Sequence, residues 1–335
     1  MKDNYQRVID YMRISITDRC NLRCKYCMPE DIAFLPHDTV MRYEEFLRLT
    51  KIFAKQGIRK IKVTGGEPLV RRGCVDFIRN LKAIDGIDNV TITTNGVLLE
   101  QYLYELLDAG IDAINISLDT LKRESYKAIT GRDEFDRVWN GIKAAADSGV
   151  KVKINCVPIG NVNASEIPAF FELAKNNKID VRFIEMMPIG HGKEFEAVST
   201  EDILNELKKR YPGIYEIQEK KGNGPAIYYE SQEFQGSIGV IGAVHKKFCD
   251  SCNRIRLTSE GFLKLCLYYS QGIDLKTPIR NGATDRELEA IIRKAIEEKP
   301  REHQFSCDIV NTLQNVCDGK SGNVEEIKNM SQIGG

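Results

Sequence analysis

Short runs of β-branched residues recur through the first half of this 335-residue chain, and a stretch with helical spacing follows each one. The runs are 13–17, 58–64, 90–93, 112–118, 150–155 and 180–184; the helical stretches are 43–56, 74–84, 98–109, 135–148 and 167–176. In the first helix, Phe46, Leu47, Thr50, Phe53 and Ala54 form one apolar stripe. Gly57, Gly110 and Gly149 stand just past helix ends, where a left-handed residue closes the last turn. Strands alternating with helices call for a parallel sheet with the helices outside it. Six such units are too few for a closed eight-stranded barrel. The expected fold is therefore α/β, a partial (β/α)6 TIM-like barrel.

In parallel β/α barrels the reactive groups gather at the C-terminal ends of the strands. Here those ends carry Cys20, Cys24 and Cys27, then Gly65-Gly66-Glu67-Pro68, Thr93, Ser117, Lys153 and Met187. With ten cysteines in the chain, roughly 0.3 C-x-x-C pairs arise by chance, so one pair alone says little. The spacing C-x3-C-x2-C is more telling. It is one thiolate short of a structural zinc site and odd in number for disulfides. Three thiolates on one loop suit an iron–sulfur cluster with one iron left open.

Past residue 190 the alternation stops. A helix is expected over 200–210 with Thr200 as its N-cap, and 220–225 reads as a turn or linker. Alternating segments at 226–230, 237–244, 255–257 and 262–265 suggest a small C-terminal β-rich domain, followed by a charged helix at 285–298. The division expected is 1–220 for the barrel and 221–335 for the C-terminal domain with its Gly334-Gly335 tail.

That second part holds Cys249, Cys252 and Cys266, spaced C-x2-C-x13-C. Two readings stay open: zinc with His245 as fourth ligand, or a second three-cysteine cluster. Arg254 and Arg256 alternate on a strand beside it. They form either a solvated edge or a bidentate site for phosphate or carboxylate.

Composition narrows the setting. Acidic and basic residues balance at 48 each, so nothing marks a non-specific nucleic-acid binder. The polar N-terminus does not read as a signal peptide, and no run of about 20 apolar residues suggests a membrane span. Clustered thiols point to the reducing cytoplasm.

The two cysteine sets, GGEP, Thr93-Thr94-Asn95-Gly96, Asn115 to Asp119, Arg182 to Glu185 and the Gly-Gly end resemble the GTP 3′,8-cyclase family of radical S-adenosylmethionine (SAM) enzymes. The resemblance runs from about Arg13 to Gly335. It implies two [4Fe-4S] clusters, on Cys20, Cys24 and Cys27 and on Cys249, Cys252 and Cys266. It implies SAM contacts at Tyr26, Gly66, Ser117 and Met187, with Gly65 beside them. GTP contacts are implied at Arg13, Lys62, Thr93, Lys153, Arg254 and Arg256, and a tail, Gly334 and Gly335, reaching the active site. The implied reaction closes GTP to 3′,8-cyclo-7,8-dihydro-GTP, the first step of molybdenum cofactor biosynthesis. Implied partners are a flavodoxin- or ferredoxin-type electron donor, a downstream pterin synthase and a second copy of the chain, with no nucleic acid or membrane. Lys62 stands where relatives often carry arginine; it keeps the charge and loses the fork. A peptide-modifying radical enzyme and a non-catalytic zinc or scaffold protein are the competing readings. Cys74, Cys156, Cys307 and Cys317 match nothing and are expected to be structural.

Overall fold

The computed structural model describes residues 1–28, 30, 32–219, 221–245, 247–305, 326, 328 and 330–334. Gly335, Cys307 and Cys317 lie outside them. The strands are β1 (Tyr11–Ser15), β2 (Lys60–Thr64), β3 (Asn89–Thr94), β4 (Ala113–Ser117), β5 (Lys151–Cys156), β6 (Asp180–Ile184), β7 (Tyr215–Ile217), β8 (Ile227–Glu230), β9 (Ile238–Ile241), β10 (Arg254–Leu257), β11 (Phe262–Lys264) and β12 (Ile273–Asp274). They form one sheet in the order β12-β11-β10-β1-β2-β3-β4-β5-β6-β9-β8-β7.

The six expected strands are adjacent and parallel, as the β/α alternation requires. Two later strands extend them: β10 joins β1 and β9 joins β6, both in parallel. The antiparallel additions, β11 with β12 and β8 with β7, hang from these. Part of the β-rich C-terminal half is thus built into the edges of the barrel sheet.

Helices cover the outer face because their apolar stripes need it. Helix Tyr43–Lys55 buries Phe46, Leu49, Thr50, Ile52, Phe53 and Ala54, while Leu47 is only half-buried. Outward strand residues Ile14, Ile61, Val63, Ile92, Ile114 and Ile154 meet the helices in one core. Side chains of opposite parity face the barrel interior, and there the strands carry Arg13, Lys62, Thr91, Asn115, Lys153 and Arg182. Gly57, Gly110 and Gly149 each follow a helix with φ of 104°, 78° and 81°.

The helix Thr200–Arg210 corrects one expectation. Ser199, not Thr200, is its N-cap, and the Ser199 hydroxyl accepts from the Asp202 N–H. Among the described residues no helix is long and apolar enough to cross a membrane.

Candidate active site

A cavity of about 410 Å³ opens at the C-terminal strand ends and runs down into the barrel, a size typical of small-molecule sites. Both cysteine sets line it. The first follows β1 directly. Arg23 and Lys25 N–H groups bond to the Thr130 and Ile129 carbonyls at 2.8 and 3.1 Å, which moors the loop to the end of helix Arg123–Thr130. The N–H groups of Cys27 and Met28 both donate to the Cys24 carbonyl, at 2.9 and 2.8 Å, and this turn gathers the thiols. All eight described cysteines are free of disulfides. Burial pushes the Cys20 thiol up to about 11, Cys27 up to about 12, and Cys24 upward as well.

Gly65 and Gly66 reach the cavity wall by pressing on the chain that leads into the cysteine loop. The Gly66 N–H donates to the Thr17 carbonyl at 2.7 Å, and the Glu67 N–H to that of Arg19 at 2.8 Å. A Cβ at Gly66 would strike the Arg19 carbonyl and sit 2.7 Å from the Asp18 oxygen. The close approach that demands glycine here is therefore to residues 18–19 of the protein itself. Tyr26 leans across the cavity and donates to Asp119 Oδ2 at 2.5 Å. Ser117, Met187 and Thr93 line the same cavity. Cys74 and Cys156 are buried, as expected of packing thiols.

The cavity floor is strongly basic. Strand register places Arg13 beside Lys62 on one side and beside Arg256 on the other. Arg254 and Arg182 project into the same cavity. Like charges side by side in a sheet repel. No ion pair forms on any of these five residues among the described residues. The Nε atoms of Arg13, Arg182, Arg254 and Arg256 are buried with no hydrogen-bond partner. Burial, then Arg182 and Arg13, pushes Lys62 well below the ordinary lysine value. Burial with Arg13 and Arg254 acts on Arg256 in the same direction. A cluster of buried cations with no carboxylate partner among the described residues is a site for an anion. The alternation of Arg254 and Arg256 thus makes a cavity wall and not a solvated edge.

Lys153 differs from the others. It already has a carboxylate partner, pairing with Asp180 at 3.2 Å, and it donates to the Tyr228 hydroxyl at 2.7 Å. It also donates to the Lys221 carbonyl. Burial nevertheless draws it down to about 8, against the pull of Asp180. The described part of the stretch read as a turn or linker reaches into the barrel. Residues 222–225 line both this cavity and a second one at the opposite strand ends, and Asn223 bonds Asn89 at 2.6 Å.

In the second cysteine set, burial raises Cys249. It pushes Cys252 the same way, but Lys299 and Arg254 outweigh it and bring that thiol down to about 6. His245, the candidate zinc ligand, hydrogen-bonds Glu185 through Nδ1 and does not line the cavity. No group of three or more His, Cys, Asp or Glu among the described residues is spaced for a single metal ion. Gly334 packs at the ends of β1 and β2, with φ of 76°, where a Cβ would lie 2.9 Å from that of Ser15.

Sequence reasoning assigned no role to Arg182, Asp180 or Lys299. The alternation of Asp180 and Arg182 along β6 carried the signal for the first two, since it puts both on the inner face. Nothing local marks Lys299.

The chain matches the Radical SAM superfamily over residues 14–174 and the Molybdenum Cofactor Synthesis C family over residues 179–305. A GTP 3′,8-cyclase from Clostridium perfringens (strain SM101 / Type A) is 47% identical, covering 91% of this chain and 95% of that protein. One from Lactiplantibacillus plantarum is 39% identical, covering 99% and 98%. The crystal structure of Streptococcus suis SuiB bound to S-adenosylmethionine shares the fold at 14% identity. Its TM-score is 0.63, covering 84% of this chain and 68% of that one.

Proposed function

We infer the working of this site from one premise: the chain belongs to the GTP 3′,8-cyclase family of radical SAM enzymes, which serve molybdenum cofactor biosynthesis. Membership brings a [4Fe-4S] cluster and SAM. The three free thiols of Cys20, Cys24 and Cys27 fit that cluster, because one loop turns them into one cavity and supplies no fourth ligand. When bound there, the cluster would supply the one-electron reduction of SAM on which radical chemistry at GTP depends.

The remaining roles belong to this chain's residues. Arg13, Lys62, Arg254 and Arg256, joined by Arg182, bind the triphosphate, and the partnerless buried Nε atoms of the four arginines are the observation that carries this assignment. Lys153, positioned by Asp180, and Thr93 complete the nucleotide side. Tyr26, Gly66, Ser117 and Met187 border SAM, with Gly65 at the same turn. Cys249, Cys252 and Cys266 would hold a second [4Fe-4S] cluster, which would offer a binding position on the guanine side of the nucleotide. The low-lying Cys252 thiol suits it, since a thiolate is the ligand form. Gly334, packed at the ends of β1 and β2, belongs to the tail that the family resemblance brings toward the active site. A flavodoxin- or ferredoxin-type donor supplies the electron, a pterin synthase consumes the product, and the chain works as a cytoplasmic homodimer.

The peptide-modifying alternative has no support beyond fold. SuiB shares the architecture at 14% identity, whereas the sequence relatives quoted are cyclases. The test is anaerobic turnover of the reconstituted, reduced protein with SAM and GTP deuterated at C3′. Deuterated 5′-deoxyadenosine and a cyclised GTP product are expected together. Unlabelled 5′-deoxyadenosine with GTP intact would overturn the assignment.

A further inference from the structure

The glutamate of the Gly65-Gly66-Glu67-Pro68 turn is fully buried and does not line the cavity that its two glycines reach. Its carboxylate is already engaged by the protein. Oε1 accepts from the Leu69 N–H at 3.1 Å and the Thr94 hydroxyl at 2.8 Å, and Oε2 accepts from the Asn95 N–H at 2.6 Å. Three donors of this kind leave it little capacity for a ligand. What Glu67 does is clamp the end of β3, and with it the backbone of Asn95.

The Asn95 side chain is oriented by its own partners. Oδ1 accepts from the Val97 N–H at 3.1 Å, so the other end must be the amide nitrogen. That nitrogen donates to Asn21 Oδ1 at 2.7 Å and lies 3.6 Å from Cys20 Sγ. The Leu22 N–H approaches the same sulfur at 3.4 Å. A cysteine proposed as a cluster ligand therefore carries a side-chain donor fixed in place through Glu67, two strands away from β1. Hydrogen bonds to the sulfurs are among the main influences on cluster reduction potential, because a donor favours the state with more negative charge on sulfur.

We propose that Asn95 tunes the first cluster through its N–H bond to the Cys20 sulfur, making that cluster easier to reduce, and that Glu67 is the positioning residue for Asn95. The proposal rests on the first-cluster assignment. Failure of that assignment would show as missing iron in the unaltered protein, whereas failure of the proposal would show as an unmoved potential with iron in place.

Asn95→Asp keeps the shape and the Oδ1 that accepts from Val97 but loses the donor and adds a negative charge, so it is read beside Asn95→Leu, which loses the donor at constant charge and must shift the potential in the same direction. The measurement is an EPR-monitored redox titration of the reconstituted full-length protein without SAM. The first cluster's signal is identified as the one that changes when SAM is later added. N95D is expected to show about tenfold less reduced first cluster at a fixed poise, about 59 mV for one electron, with iron content unchanged. Glu67→Gln removes both an anchor of Asn95 and a charge that acts on Cys20, so its upward shift in potential is expected to be smaller with Asn95 present than in the N95D background, and equal shifts would remove Glu67 from the proposal. An unmoved potential in N95D overturns the proposal. So does an unmoved potential accompanied by weaker SAM binding, which would make Asn95 a contact to SAM. If N95D held no first-site iron, Asn95 would be needed to hold the cluster and not to tune it, and the proposal would fall.

Discussion

Around Cys20, Cys24 and Cys27 the charged neighbours that act on the thiols are chiefly carboxylates, Glu67 and Asp119. Around Cys252 they are Lys299, Arg254 and Arg256. The two sets face one cavity from opposite electrostatic surroundings. Of the two carboxylates only Asp119 lines the cavity, on the side proposed for the sulfonium and ammonium of SAM, and the basic side suits a nucleotide triphosphate. Complementary fields of this kind sort ligands and penalise the wrong pairing. The proposed assignment puts SAM at the first set and GTP at the second.

The sharpest way to break the comparison is to remove one set. Cys252→Ala is expected to abolish GTP cyclisation while SAM cleavage persists at least in part, with iron falling from about eight to about four per chain. Normal cyclisation by C252A, measured by product analysis, would deny the second set any role.

A smaller effect comes from the support beneath that set. Arg7 is buried, pairs with Asp3 at 2.6 Å, and donates to the carbonyls of Cys249, Pro300 and Arg301 at 2.9, 2.7 and 2.6 Å. Arg7→Ala leaves Asp3 buried without its cation, at a cost of about 3–5 kcal/mol. Denaturant unfolding should report that loss, and iron should leave the second site before the first. Equal iron loss at both sites would blur the distinction between them.

Smaller again, Arg256→Ala should weaken GTP binding by about 2 kcal/mol, some thirtyfold, the scale of a hydrogen bond to a charged group. SAM binding should change by less than about twofold on the same charge-pair reasoning. Equal weakening of both, by anaerobic calorimetry, would contradict the separation. The least effect is expected from Lys62→Arg. It restores a bidentate fork at a position already charged, so GTP affinity should rise by less than about tenfold. Calorimetry showing no gain would mean that Lys62 meets its anion as a point charge.

Much of this was legible in the chain because the signals were local. Period-2 runs gave strands, glycines marked helix ends, and the spacing of Cys20, Cys24 and Cys27 placed them on one loop. What local pattern could not supply was long-range pairing. That β10 lies beside β1 depends on register between Tyr11 and Arg254, far apart in sequence, and this register creates the Lys62–Arg13–Arg256 row. Helix Arg123–Thr130 escaped notice because it is only eight residues long and Lys122 offers no side-chain cap. Asp180 was missed as the Lys153 partner for the same reason as β10: the pair forms across β5 and β6, and only the register brings them together. The unpaired arginines behaved oppositely. Their alternation was visible, but only burial without partners decided between a solvated edge and an anion site.

The division of labour is tested most directly by binding, not turnover. GTP binding should be measured by anaerobic equilibrium dialysis, with SAM absent, on a chain in which Cys20, Cys24 and Cys27 are all alanine. SAM binding is measured on the same protein. The account predicts that SAM binding is lost while the dissociation constant for GTP stays within about threefold, less than 1 kcal/mol. Loss of both ligands together would contradict it, because the two sets would then form one site instead of two.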